Sequence, residues 1–104
     1  MVSLYKAEDF LPGFLKDLSR HTIFNQCDVL FIDANQGDGD FALIDPFLKE
    51  NRDNTRCLKL PGSSIYTAWN QAIRLSYANL VSNWNVDDRR RIDSLEEQVC
   101  VMEE

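Results

Sequence analysis

The sequence predicts an α/β fold, a parallel sheet with helices on both faces (α/β/α). Two observations carry this. Val29-Leu30-Phe31-Ile32 is an unbroken apolar run flanked by Asp28 and Asp33, the mark of a strand buried on both faces rather than on one. Around it, segments of helical periodicity alternate with short apolar runs, and such alternation favours crossover connections and parallel pairing.

The elements follow in order. Val2-Ser3-Leu4 is the stub of a strand, too short to fill a central sheet position by itself. Over residues 7–20, Phe10, Phe14, Leu15 and Leu18 share one helical face; Pro12 is tolerated only in a first turn, which puts the helix start near Asp9. The strand over residues 28–33 comes next, then a glycine-containing loop over residues 34–40. A second helix places Phe41, Ile44, Phe47 and Leu48 roughly on one side, its start set either by that loop or by Asp45-Pro46 as a late cap and first turn. Residues 56–60 form a short strand that Pro61-Gly62 ends. Ser63 or Ser64 caps a third helix reaching about Tyr77, with Ile65, Ala68, Trp69, Ala72 and Ile73 inward. Leu80-Val81-Ser82-Asn83-Trp84 is a further strand, and a last helix carries Ile92, Leu95, Val99 and Met102 at helical spacing.

Bulk properties bound the function. The 104 residues, 44% hydrophobic and 27% charged, suit one soluble globular domain. Apolar runs fall far short of the ~20 residues that span a bilayer, and the N-terminus has no secretory pattern, so no membrane span and a cytoplasmic location are expected. A formal net charge of -6 opposes binding to nucleic acid or anionic lipid. Cys27, Cys57 and Cys100 form no CxxC pair, and with His21 as the one histidine there is no zinc set. They are expected to be reduced, mostly buried thiols, and His21 is expected at the surface.

Ligands of open parallel sheets bind outside the carboxyl ends of the strands. Polar residues gather at those ends: Ser3 and Tyr5, then Asp33 and Asn35, then Asn85, Asp87 and Asp88. Successive carboxylates in an extended segment diverge, so Asp87 and Asp88 divide the work, one holding a divalent cation while the other accepts from a hydroxyl or orients a metal-bound water. Oxygen ligation completed by phosphate and water suits magnesium or manganese. The same two residues also suit a plainer role, opening a loop and capping the helix after it. The loop from Asp33 is no EF-hand: its twelfth place holds Ile44 and its sixth Asp38. GxxxxGK[ST] and GxGxxG are both absent. Arg89-Arg90-Arg91 suits a diphosphate or a solvated helix start balanced by nearby aspartates. Trp69 and Trp84 suit stacking on a base or sugar, or core packing, the commoner job.

Taken in order, these segments resemble the nucleotide-binding half of family 2 glycosyltransferases of the GT-A fold. Ser3-Leu4-Tyr5-Lys6 is similar to that family's first segment, with Lys6 where asparagine is usual. Phe31-Ile32-Asp33-Ala34-Asn35-Gln36-Gly37-Asp38-Gly39 is similar to its acidic turn, without the second aspartate. Ile65-Tyr66-Thr67-Ala68-Trp69-Asn70-Gln71-Ala72-Ile73 is similar to its third motif, and Trp84-Asn85-Val86-Asp87-Asp88 to its metal motif.

The resemblance implies a Rossmann-like GT-A half-domain and a glycosyltransferase that takes a nucleotide-diphosphate sugar with Mn2+ or Mg2+, in polysaccharide biosynthesis. Asp33 would accept from the base, with Ser3, Tyr5 and Asn35 beside it. Asn85 and Asp87 would lie near ribose and diphosphate, Asp87 and Asp88 would hold the metal with Asp88 preferred, and Tyr66 and Asn70 would support the donor pocket. The family's catalytic base comes from sequence beyond the metal motif. A chain of residues 1–104 is therefore expected to be a truncated domain carrying the donor-binding half, with the glycan or lipid-linked acceptor served by the full-length enzyme. The alternative is a catalytically inactive remnant that binds nucleotide or self-associates as a homo-oligomer through an exposed sheet edge.

Overall fold

The computed structural model describes residues 1–76 and 78–102. Its sheet is parallel and three-stranded, in the order β1 (Val2–Leu4), β2 (Val29–Asp33), β3 (Thr55–Lys59). Val2 pairs with Phe31 and Leu4 with Asp33, while Val29 pairs with Thr55 and Asp33 with Lys59. Every residue of β2 is buried, as its unbroken apolarity requires.

Helices cover both faces. α1 (Leu11–Ser19) and α2 (Gly39–Glu50) pack on one, where Phe14, Leu18 and Ile44 meet Val2, Leu4 and Phe31. α3 (Ile65–Leu75) lies on the other, seating Ala68 and Ala72 on Leu30 and Ile32. Pro12 lies in the first turn of α1, as expected. α2 begins at Gly39, so Pro46 falls inside it instead of opening it. The bond that Pro46 cannot donate would have gone to Ala42, an exposed residue whose carbonyl can turn to water. Ser64 caps α3, its Oγ accepting from the Thr67 amide at 3.2 Å. Tyr77, the expected end of this helix, lies outside the described residues; the last helical residue is Leu75.

The strand expected over residues 80–84 does not form. One parallel-type rung remains: the Met1 amine donates to the Ser82 carbonyl at 2.7 Å and the Trp84 amide donates to the Met1 carbonyl at 3.1 Å. Leu4 turns the other way, its carbonyl accepting from the Ala34 amide. The short β1 thus keeps an edge of the three-stranded sheet, flanked by β2 and, through this single rung, by residues 82–84. Trp84 explains why the last segment leaves the sheet. Its indole sinks into the core beside Phe14 (centroids 4.8 Å apart) and His21 (4.9 Å), pulling the backbone into a turn.

His21 is a correction as well. It is buried, with Nδ1 3.0 Å from the Asp17 carbonyl and Nε2 3.1 Å from the Ser94 hydroxyl. A carbonyl only accepts, so Nδ1 carries the proton. Through Ser94 and the Thr22–Glu96 bond (2.8 Å), α4 (Ser94–Met102) is moored to the loop after α1. Its own residues are nowhere fully buried, and Val101 and Met102 are exposed. Of the cysteines, Cys27 and Cys57 are half-buried, but Cys100 is exposed.

Candidate functional site

The chain runs outward from β1 to β2 to β3 and then returns across the opposite face to lie on the other side of β1. The reversal makes β1 a topological switch point, the place where open parallel sheets leave a crevice at the carboxyl ends of their strands. A cavity of about 680 Å³ opens there, within the usual range for small-molecule sites.

Its walls come from three places. Ser3 lies within β1, and Tyr5 and Lys6 follow it; Asn85, Val86 and Asp87 form the turn after residues 82–84; Gly62, Ser63, Ser64 and Ile65 lead into α3. The turn is built by the Asp88 amide donating to the Asn85 carbonyl at 3.0 Å, and the indole Nε1 of Trp84 pins it by donating to the Asp88 carbonyl at 3.0 Å. Gly62 sits at φ +76, a left-handed backbone that glycine adopts freely, with its amide donating to the Ala34 carbonyl. This turn aims the start of α3 at the cavity, and a helix start presents unpaired N–H groups and partial positive charge.

Beneath the β1 exit lies a buried polar network. Asp33 is fully buried, its Oδ1 accepting from the Asn35 amide (3.0 Å) and from Asn35 Nδ2 (2.8 Å). Its Oδ2 is buried without a hydrogen-bond partner among the described residues. Asn35 Nδ2 also donates to Asp40 Oδ2 at 2.7 Å, and Asp40 accepts from the Ala7 amide. Asn35, Asp40, Tyr5 and Lys6 line a second cavity of about 490 Å³, on which Gly39 also lies.

Ser3, Tyr5, Asn85 and Asp87, predicted from sequence, therefore come together at one cavity. Asp33 lines neither cavity, and Asn35 lines the neighbouring one. Tyr66 and Asn70 lie elsewhere: they stand four residues apart on α3, on the side away from the buried Ala68 and Ala72, and both are exposed. Tyr66 meets Trp69 edge to face at 6.2 Å. Of the two candidate metal ligands, Asp87 lines the cavity, while Asp88 contributes its backbone to the turn. Among the described residues no cluster of three or more His, Cys, Asp and Glu is placed to hold a metal ion. A single cavity carboxylate still fits magnesium or manganese, which take one or two protein ligands and complete the shell with phosphate and water.

The arginine run is structural. Arg89 forms a two-pronged pair with Asp17, Arg90 donates to the Asn83 carbonyl and lies 5.0 Å over the Trp84 ring, and Arg91 pairs with Glu97. The cavity's cation is instead Lys6, in a left-handed backbone at φ 49. Sequence reading passed over Lys6 and the α3 start, although Pro61-Gly62 followed by Ser63-Ser64 is a strand end and a helix cap in direct succession. No protein-family model, curated protein or solved structure matches the chain.

Proposed function

We propose that the chain is the donor-binding half of a glycosyltransferase, and that its switch-point cavity takes the nucleoside diphosphate of a sugar donor. The observation that carries this reading is the meeting of Ser3, Tyr5, Asn85 and Asp87 at one cavity beside β1, from segments some eighty residues apart. The Lys6 ammonium and the start of α3, where Ser64 caps the Thr67 amide and leaves those of Ile65 and Tyr66, supply positive charge for phosphate oxygens. Ser3 and Asn85 offer hydrogen bonds to the ribose and diphosphate, and Tyr5 offers a ring face. Asp87 is the residue to hold a divalent cation, which when bound neutralises charge developing on the departing diphosphate. The reading assigns these residues donor binding; in the family that the chain resembles, the base acting on the acceptor follows the metal motif.

Isothermal calorimetry with UDP and Mn2+ tests it. Binding should be lost on chelation of the metal and weakened at least about tenfold, about 1.4 kcal/mol, by Asp87→Ala. No binding of UDP or GDP would overturn the donor site; binding unchanged in an Asp87→Ala, Asp88→Ala double variant would overturn the metal role.

A second reading, a self-associating remnant, is favoured by β3, which among the described residues pairs with β2 on one side only. Arg56 and Lys59 stand on this strand, each beside an aspartate, and charges on an edge disfavour pairing with another chain. Light scattering that shows a monomer at 100-fold different concentrations would end it.

A further inference from the structure

We propose that Asn35 and Asp40 are positioning residues of the cavity, a clamp that holds residues 5–7 in the backbone path that puts Tyr5 and Lys6 on its wall. The Lys6 amide donates to Asn35 Oδ1 at 2.9 Å, and the Ala7 amide donates to both carboxylate oxygens of Asp40, at 3.1 and 3.0 Å. Asn35 Nδ2 joins the two acceptors by donating to Asp40 and to Asp33 at once. Asp40 is 2% exposed, and its buried carboxylate is satisfied by the Ala7 amide and by Asn35 Nδ2.

The held segment needs holding. Lys6 is the only described non-glycine residue at positive φ, and such a backbone persists where its surroundings over-determine it. Tyr5 and Lys6 form a wall common to both cavities, so a change in this path alters both at once. The clamp residues come from the loop after β2, which reaches the main cavity only through Ala34, and from the first turn of α2, which does not line it. Only the ligand arm of the test below rests on the nucleotide reading.

Amide hydrogen exchange decides the matter. In the wild-type chain the Lys6 and Ala7 amides should exchange at least about tenfold more slowly than in a free peptide, though Lys6 is exposed and outside any helix or strand. Asp40→Asn keeps one acceptor oxygen and Asp40→Ala none, so protection at Ala7 should fall in that order while Phe31 and Ile32 keep theirs. Free-peptide rates in the wild type would overturn the clamp, even if neither variant folds. So would a loss of protection spread evenly over β2, or none at Ala7. UDP with Mn2+ should bind Asp40→Ala at least about tenfold more weakly than wild type. Equal affinity with a loosened Ala7 would overturn the positioning role. UDP binding to neither chain would count against the nucleotide reading, and exchange would still decide the clamp.

Discussion

The indole of Trp84 donates to the Asp88 carbonyl at 3.0 Å while its ring packs edge to face on Phe14, with centroids 4.8 Å apart. One side chain thus joins the hydrophobic core to the turn that carries Asn85 and Asp87. Trp84→Ala should cost about 3–5 kcal/mol, and Trp84→Phe, which keeps most of the ring but not the donor, about 1–2 kcal/mol. Urea unfolding measures both. Trp84→Phe should also weaken UDP binding in excess of its effect on folding, because the freed turn no longer fixes Asp87.

Lys6 is a mismatch between residue and backbone. At φ 49 asparagine is several-fold commoner than lysine. Lys6→Asn should raise stability by about 0.5–1 kcal/mol and, by removing the cavity's ammonium, weaken nucleotide binding. A gain in thermal midpoint together with a weaker Kd would separate the two roles of this position.

Gly62 carries the opposite expectation. At φ +76 an alanine would be strained, and its Cβ would stand 3.3 Å from Gln36 Nε2. Gly62→Ala should cost about 1–2 kcal/mol in chemical denaturation. Gly37, with open space around its Cβ position, should accept alanine with little change.

Much of the fold was legible because strong periodic signals dominate it. The unbroken run over Val29–Ile32 marked a doubly buried strand, and Ser63-Ser64 marked a helix cap, which Ser64 supplies. Residues 80–84 misled because Leu80, Val81 and Trp84 match a strand pattern locally, whereas the deciding factor is tertiary: Trp84 is drawn into a core made by Phe14 and His21. His21 looked isolated since Asp17 offers it only a backbone carbonyl, which no side-chain pattern records, and Ser94 lies far along the chain. At the site, residues at strand ends were found because strand ends are visible in sequence. Asp40 was passed over because its burial depends on meeting Ala7 across two connections. Tyr66 and Asn70 came from motif likeness, and helix phase puts them on the face opposite Ala68 and Ala72.

The Asp17–Arg89 pair ties the segment after the turn to α1. The hydrogen bond from Arg89 holds the Asp17 carboxyl below its ordinary value of 3.8. A depressed folded value contributes stability above the ordinary value that is lost as pH falls through the folded one. Asp17→Asn should therefore lower the thermal midpoint slightly at pH 7, with the deficit shrinking as pH falls below the ordinary carboxyl value, a small effect because Arg89 is largely exposed.

Cys57 provides the alkaline counterpart. Burial, and secondarily the charge of Asp33, pushes its thiol up to about 11, while Cys100 is exposed. The thiolate is the reactive form, so a maleimide or disulfide reagent at pH 8 should label Cys100 well before Cys57. The raised value also makes stability pH-dependent. The neutral thiol is the form that the fold favours, so its contribution is complete below the ordinary thiol value of 9.0 and is lost as pH rises through about 11. Between pH 8 and 11 the wild-type chain should lose more stability than Cys57→Ala, whose site does not ionise. Parallel curves for the two chains in urea titrations across that range would show that Cys57 is not held in its neutral form.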